Sequence, residues 1–455
     1  MVPFVDTPRW PLVFTAALLV AACGKSDGDG DDGPVVDDAT ATPTATPTPT
    51  ATPTETGIPT EESPPVVAWH VGYGTEGEEH VHEGVQTSDG GFIAVGQTDE
   101  SGGPNSDLFV VKVSGEGELE WTTRLGDTGA WDVGIPILEV DDGYLAGGAI
   151  STGGVQESAI LKLDLAGELV WSRSYHSEGA SAVRGLAQMA DGRVVATGYH
   201  GGFEHGYVFI SDESTAFLMV VDAEGEAAWS VDLPVPQGTK VRQTADGGFV
   251  VLSTVWVWEG GADVQNAALV RTDASGAVQW AQTYGGADNN QAFDFDMTPG
   301  GDFVLAGHTT GFGAVNWDCL MLKVQADGTL VWARRFGQPR GYDAQYIHDE
   351  CYGVRVAPDG GFVMAGGTGD EYPYSEDGHP EGPSDEWKGY LVKVDPEGET
   401  VWTQVYGDAP NTGHNATEFL ALTDDGGYLL FNDTDTAGVI QPNNFGFMKL
   451  THAGD

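Results

Sequence analysis

The chain has 455 residues, with 69 acidic against 19 basic side chains and a formal charge of −50 at pH 7. A surface this negative repels phosphate backbones and anionic headgroups, which argues against nucleic acid as a partner. With 66 glycines and only 7 methionines, the composition favours short strands and turns over helices and predicts an all-β chain.

Residues 1–22 read as a lipoprotein signal peptide. Arg9 precedes the apolar run "PLVFTAALLVAAC", which is too short for a permanent membrane span and suits a secretory h-region. The stretch "VAAC" at 20–23 resembles a bacterial lipobox, in which cleavage exposes Cys23 for acylation with palmitate-type chains. Several acyl chains on one residue anchor firmly where a single chain is marginal. Gly24, rather than aspartate, follows Cys23; by the same resemblance this implies the outer membrane, on its periplasmic or cell-surface side.

Residues 23–65 offer almost nothing apolar to bury. The acidic "SDGDGDDG" gives way to "ATATPTATPTPTATPTE", a disordered Thr/Pro-rich tether. Its prolines hold the backbone extended at about 3 Å per residue, so roughly 40 residues reach on the order of 100 Å.

From residue 66 to 455 the chain repeats itself. A turn recurs at Asp89-Gly90-Gly91, Asp141-Asp142-Gly143, Asp191-Gly192-Arg193, Asp246-Gly247-Gly248, Gly300-Gly301-Asp302, Asp359-Gly360-Gly361 and Asp425-Gly426-Gly427. Each precedes a β-branched and aromatic run such as "FIAVG" or "FVLAG", the second strand of a hairpin. Five runs reach glycine at one place, Gly96, Gly148, Gly198, Gly307 and Gly366, where a bulge or a close backbone approach is expected. A third strand follows ("LFVVKV", "YLVKVD"), then a Gly turn and a fourth strand carrying Trp121, Trp171, Trp229, Trp280, Trp332 or Trp402. Four residues beyond each tryptophan stands another large apolar side chain, for example Tyr175, Tyr284 and Tyr406. The pair shares one strand face and is expected to build the core between sheets.

A four-stranded unit recurring every 50 to 70 residues is the signature of a β-propeller. The seventh unit ends after "FGFMKL" without a Trp strand, whereas "VVAWHVGYG" at 66–74 is a Trp strand without a unit before it. The reading is a seven-bladed β-propeller whose N-terminal strand closes the last blade. These units resemble bacterial secreted propeller repeats of the "DGGY…VKVDxxGxxxW" type and are distantly similar to quinoprotein-like propellers. The resemblance implies fold and leaves function open. The turn in "DLAGELVW" at 164–171 is one residue shorter than in quinoprotein repeats and no adjacent cysteine pair occurs, so no cofactor is expected.

A basic residue recurs on the third strand: Lys112, Lys162, Arg271, Lys323, Lys393 and Lys449. A site used once does not need six copies, so these read as scaffold paired with turn carboxylates. Propeller connectivity sends the Asp-Gly turns to one end of the ring and the irregular loops to the other. Trp131, Trp256, Trp258, Trp317 and Trp387 fall in or beside those loops, a set suited to stacking a glycan or anchoring a protein. "EEHVHE" at 78–83 sets His80 and His82 at strand spacing, a candidate divalent transition-metal pair. The acidic insertion "GDEYPYSEDGHPEGPSDEWK" at 369–388 is a candidate calcium segment.

Function follows as a membrane-anchored, monomeric propeller that binds a protein or glycan. The alternative is a glycan hydrolase or lyase using carboxylates such as Asp288, Asp349, Glu350 or Asp385 with His348. Cys319 and Cys351 lie at the loop end of neighbouring units; a disulfide is open to them, and two buried reduced thiols are the favoured state.

Overall fold

The computed structural model describes residues 63–452, apart from 76, 100–104, 127–129, 178, 203–213, 260–261, 376–380, 385, 408–412 and 436–443. The signal segment with Cys23, and the tether up to residue 62, lie outside the described residues, as does Asp385.

Among the described residues every regular element is a strand. After β1 (Val66–Tyr73), strands β2 (Glu79–Gln86), β3 (Phe92–Asp99), β4 (Ser106–Val113) and β5 (Leu119–Leu125) form a four-stranded antiparallel sheet. The same meander is built by β6 (Val133–Val140), β7 (Gly143–Thr152), β8 (Val155–Leu163) and β9 (Leu169–Tyr175). It recurs in β10 (Ala180–Gln188), β11 (Val194–Gly202), β12 (Thr215–Val221) and β13 (Ala227–Asp232). Next come β14 (Lys240–Gln243), β15 (Phe249–Glu259), β16 (Ala262–Thr272) and β17 (Val278–Tyr284), then β18 (Asn290–Met297), β19 (Phe303–Thr309), β20 (Asp318–Val324) and β21 (Leu330–Phe336). A single parallel bridge between Asn266 and Asn290 joins these two runs. β22 (Ile347–Val356), β23 (Phe362–Asp370), β24 (Trp387–Val394) and β25 (Thr400–Tyr406) form another sheet. The last contains β26 (Asn415–Leu422), β27 (Tyr428–Thr434) and β28 (Asn444–Thr451), and its fourth place is taken by β1.

The first strands of successive runs, β2, β6, β10, β14, β18, β22 and β26, each lie against the next, and β26 lies against β2. The sheets therefore surround a common axis. Second and third strands are buried on both faces, as β3 and β4 are, whereas the outer β5 and β9 alternate exposed and half-buried positions.

The turns explain the repeated letters. Asp89 accepts hydrogen bonds from the Gly91 amide (2.9 Å) and the Thr87 hydroxyl (2.6 Å), and Asp246 does the same with Gly248 and Thr244. The following glycine has φ of +85° at Gly90 and +84° at Gly247, a region open to glycine at little cost. Buried basic residues then close on the turn carboxylates: Lys112 on Asp89 (3.0 Å), Arg271 on Asp246 (2.5 Å), Lys393 on Asp359 (2.7 Å) and Lys449 on Asp425 (2.8 Å). Lys162 pairs with Asp142. Lys323, whose turn carries Gly300 in the aspartate's place, donates instead to the Pro396 carbonyl at 3.0 Å. In the third run Val220 stands opposite Trp229, in the slot of the lysine, and Asp191 pairs with Arg193 of its own turn.

The tryptophans hold neighbouring sheets together from outside. A Cβ built on Gly167 would lie 2.5 Å from the Trp121 ring, on Gly225 2.7 Å from Trp171, and on Gly398 2.9 Å from Trp332. Gly117 meets Trp69 in the same way, Gly276 Trp229, and Gly328 Trp280. The fourth-strand ring thus covers the turn glycine of the following run. The tyrosine four residues on completes the grip by donating to that glycine's carbonyl: Tyr73 to Gly117 at 2.7 Å, Tyr175 to Gly225 at 2.8 Å and Tyr284 to Gly328 at 2.9 Å. Most of these tryptophans are only half-buried. The expected core pair holds as well: Trp332 with Phe336 and Trp402 with Tyr406 lie within buried clusters between sheets, and Trp69 meets Phe92 of the next sheet edge to face at 6.0 Å, while β-branched and aromatic residues of the inner three strands fill the rest.

Candidate functional site

The first strand of nearly every run carries a bulge at one level. Pairing with the second strand skips His82 between Val81 and Glu83, Arg184 between Val183 and Gly185, and Phe293 between Ala292 and Asp294. It likewise skips Tyr352 between Cys351 and Gly353, and Glu418 between Thr417 and Phe419. In β6 the skipped pair is Ile135-Pro136. A bulge re-aims the extra side chain out of the ladder, and here it turns the skipped residues of these runs toward the axis. The expected glycines lie opposite. A Cβ on Gly96 would sit 2.0 Å from the His80 carbonyl oxygen, on Gly307 1.9 Å from that of Gln291 and on Gly366 2.0 Å from that of Glu350. Both anticipated roles, bulge and close approach, are met by the same residue.

On one side of the axis the re-aimed groups form an aromatic and acidic wall. Phe293 and Tyr352 meet edge to face at 5.0 Å, and His308 packs on both, at 4.8 and 5.6 Å. The Tyr352 hydroxyl donates to Glu350 at 2.6 Å. His348 lies between two carboxyls, 4.0 Å from Glu350 and 3.5 Å from Glu371. Burial holds the Glu350 carboxyl above its usual range; burial and the nearby Glu350 carry Glu371 up to about 7. Burial also drives Glu418 up to about 8 against the pull of the His80 charge, with Asp433 and Glu350 adding repulsion. His348 and His308 are pushed down to about 4 and about 3 by burial and stay neutral. Among the described residues, no lysine or arginine pairs with Glu350, Glu371 or Glu418.

Deeper in the ring, the axis is crossed by charge. Lys240 of β14 reaches Glu83 of β2 at 2.6 Å and lies 4.8 Å above the Phe419 ring of β26. Arg355 covers the same ring at 4.6 Å and pairs with Asp294 at 2.5 Å.

The structure separates the sequence-based candidates. His80 hydrogen-bonds Asp433 through Nδ1, and although burial opposes its charge, that carboxylate raises the imidazole to about 9. A protonated ring has no lone pair for a metal. His82 donates from Nδ1 to the Gly134 carbonyl at 2.6 Å and is kept near 3 by burial and by His80. The pair is thus an ion pair beside a neutral ring, and among the described residues no group of three or more His, Cys, Asp or Glu is placed to hold a metal ion.

Glu350 and His348 face the axial wall. Asp349 points the other way, accepts from the Gln338 amide at 2.7 Å, and is raised by burial to about 7; strand alternation divides the expected triplet. Trp317 and Trp387 are 7% and 8% exposed, Trp317 against His308 and Trp387 over Gly367 and Gly369, so both are packing residues and not stacking platforms. Trp131 packs beside Ile135 and Tyr199. Trp256 is 37% exposed, and Trp258 follows it on β15 with a side chain outside the described set. Among the described rings, Trp317 and Trp387 are thus spent on packing and Trp256 is the exposed one.

At the base of the acidic insertion it is Arg340 that supplies positive charge, reaching Asp370 at 2.9 Å, Ser384 at 3.0 Å and the Glu386 carbonyl at 2.8 Å. Cys319 and Cys351 are joined, with sulfurs 2.03 Å and α-carbons 5.2 Å apart, where reduced thiols were the favoured expectation. The bridge ties β20 to the strand that presents Glu350 and Tyr352. Phe293, Tyr352, Glu371 and Glu418 escaped sequence reasoning. Aligning "NQAFDF", "DECYGV" and "NATEFL" by their first strands would have revealed Phe293, Tyr352 and Glu418 as one slot whose chemistry changes from run to run.

No family model matches the chain, and no curated protein matches it. Solved structures do. The Pan2 WD40 domain of Neurospora crassa is 12% identical, with 86% of this chain and 97% of that one aligned and a TM-score of 0.51. The WD40 β-propeller domain of Doa1 is 12% identical over 86% of this chain and 98% of that one, with a TM-score of 0.50. At such identity the likeness speaks for architecture alone: the chain is all-β and folds as a β-propeller.

Proposed function

We propose that this chain is an extracytoplasmic binding protein: an outer-membrane lipoprotein acylated at Cys23, carrying a monomeric seven-bladed propeller on its Thr/Pro tether and holding a protein or glycan ligand at the loop-rich mouth. Strands in runs of four, with β1 filling the last vacancy, support seven blades. The observation that carries the reading is a contrast. One end of the ring repeats the same turn and ion pair, while at the other the bulges present different side chains, His82, Phe293, Tyr352 and Glu418, toward one axis. A uniform scaffold carrying one asymmetric cluster is the arrangement expected of a ligand site.

The test is a glycan array and a panel of purified envelope proteins probed with the mature chain, each hit repeated with Phe293→Ala/Tyr352→Ala. Hits lost in the variant support the mouth as the site; hits unchanged place binding elsewhere. For the anchor, Cys23→Ser should move the protein to the soluble fraction and abolish acyl labelling. A hydrolase or lyase reading is favoured by one feature, the carboxyls of Glu350 and Glu371 flanking His348 with raised proton affinity. Turnover of any bound glycan, abolished by Glu350→Gln, would support it.

A further inference from the structure

The axial wall contains a buried atom whose needs are unmet. The Gln291 side-chain amide donates to Gln265, which leaves its oxygen to accept from His308 Nε2 at 2.5 Å. His308 therefore carries its proton on Nε2, and its Nδ1 is a bare acceptor. That Nδ1 is buried without a hydrogen-bond partner, on a residue 4% exposed. An orphaned buried acceptor costs about 1–3 kcal/mol, so something with an N–H or O–H is wanted there.

Three neighbours narrow the choice. Phe293 and Tyr352, both half-buried, present ring faces and edges around His308. Glu350 spends one oxygen on Tyr352 and shares with Glu371 only the neutral ring of His348, while Glu418 completes the acidic arc on the side where the His80 charge lies. Where β22 and β23 begin and end, Tyr346 and Tyr372 stack at 4.6 Å, and the Glu371 amide donates to the Tyr346 carbonyl at 2.8 Å. Aromatic faces, carboxyls with no lysine or arginine partner and an empty acceptor are jointly satisfied by one group, a cation that also donates hydrogen bonds.

Resting on the binding-protein reading, we infer that the mouth bounded by Phe293, Tyr352, His308, Glu350, Glu371 and Glu418 takes a primary ammonium group carried by the ligand. Its N–H bonds suit Nδ1 of His308 and the Glu350 and Glu371 carboxyls, whose protons its charge displaces, and that charge lies against the Phe293 and Tyr352 rings. Two sources share this chemistry: a lysine side chain of a protein and the free amine of a de-N-acetylated glycan.

The experiment titrates the mature chain, by calorimetry at moderate salt, with four probes: a glucosamine hexamer, its N-acetylated form, a lysine-bearing hexapeptide and its Nε-acetylated form. Binding by a free-amine probe and not by its acetylated twin is expected, and which amine binds identifies the source. Glu350→Gln/Glu418→Gln, isosteric and checked for an unchanged melt, should weaken binding by about tenfold or more, the loss expected of charge-assisted bonds. Glu116→Gln, on an exposed turn, controls for the overall negative charge and should bind like the parent. Equal binding of free and acetylated probes overturns the ammonium assignment and leaves the binding-protein reading standing, as does unchanged affinity in the double variant. Silence from all four probes also overturns it, while the array decides the broader reading separately.

Discussion

Trp69, on the first strand, stands directly opposite Lys449 on the last, in the register that sets Trp121 opposite Lys112 and Trp171 opposite Lys162. The two ends of the described chain thus reproduce a pairing that elsewhere joins consecutive strands. Residues 66–74 supply the fourth strand of the final sheet and the ring that covers Gly117. Deleting them should expose the edges of β28 and uncover that turn, at a cost of about 3–5 kcal/mol by comparison with losing one packed tryptophan. A truncated chain that melts with the parent would refute this closure.

Gly307 has no room for a side chain, since a Cβ would lie 1.9 Å from the Gln291 oxygen. Gly307→Ala should force β18 away from β19 and cost about 1–3 kcal/mol, as overpacking does. It should also disturb Phe293, the bulged residue opposite. Ligand binding falling further than stability would separate the two effects; Gly90→Ala, at an open turn with nothing within 4 Å, supplies a comparison in which only stability changes.

The Cys319–Cys351 bridge spans 32 residues, a loop for which the chain-entropy account gives about 3–4 kcal/mol. Denatured without reductant, the chain should present no titratable thiol from this pair. Cys319→Ser/Cys351→Ser should lower the denaturant midpoint, and two reactive thiols in the parent would rule the bridge out.

Stability should fall as pH rises from about 6.5 to 9. Glu418 titrates near 8, Glu371 and Asp349 near 7, Asp99 near 6 and His80 near 9 in the folded chain, against ordinary values of about 4 for carboxyls and about 6.5 for histidine. Folded protein therefore holds more protons than unfolded across that window, and raising pH favours unfolding. Below about 6.5 the sign reverses for His82, His308 and His348, which folding keeps neutral. The three neutral histidines flatten the slope below that point without outweighing the protonated carboxyls, so the melting temperature should fall most steeply between about pH 6.5 and 9, and Glu418→Gln should flatten this alkaline limb. A profile level from pH 6.5 to 9 would contradict the assignment.

Much of the fold was legible because it is repeated. The aspartate of each turn, its glycine and the lysine opposite the tryptophan recur as letters, and each does one local job that backbone geometry makes necessary. The site was less legible for the opposite reason. Phe293, Tyr352 and Glu418 share a position but no chemistry, and a bulge leaves no mark in a single copy. The tryptophans misled because a large ring in a loop is as easily packing as recognition; Trp317 lies buried beside His308, and only three-dimensional placement tells the two apart. His80 and His82 look equivalent in "HVH", yet Asp433, more than three hundred residues away, charges one and leaves the other neutral.

The salt link from Lys240 to Glu83 joins strands that are not neighbours around the ring. To meet at 2.6 Å, the two side chains must extend into the lumen from separate walls, with the Phe419 ring beneath the ammonium. Opposite walls of the ring are therefore braced to each other across the axis, and not only through their neighbours, by side chains that no repeat motif encodes.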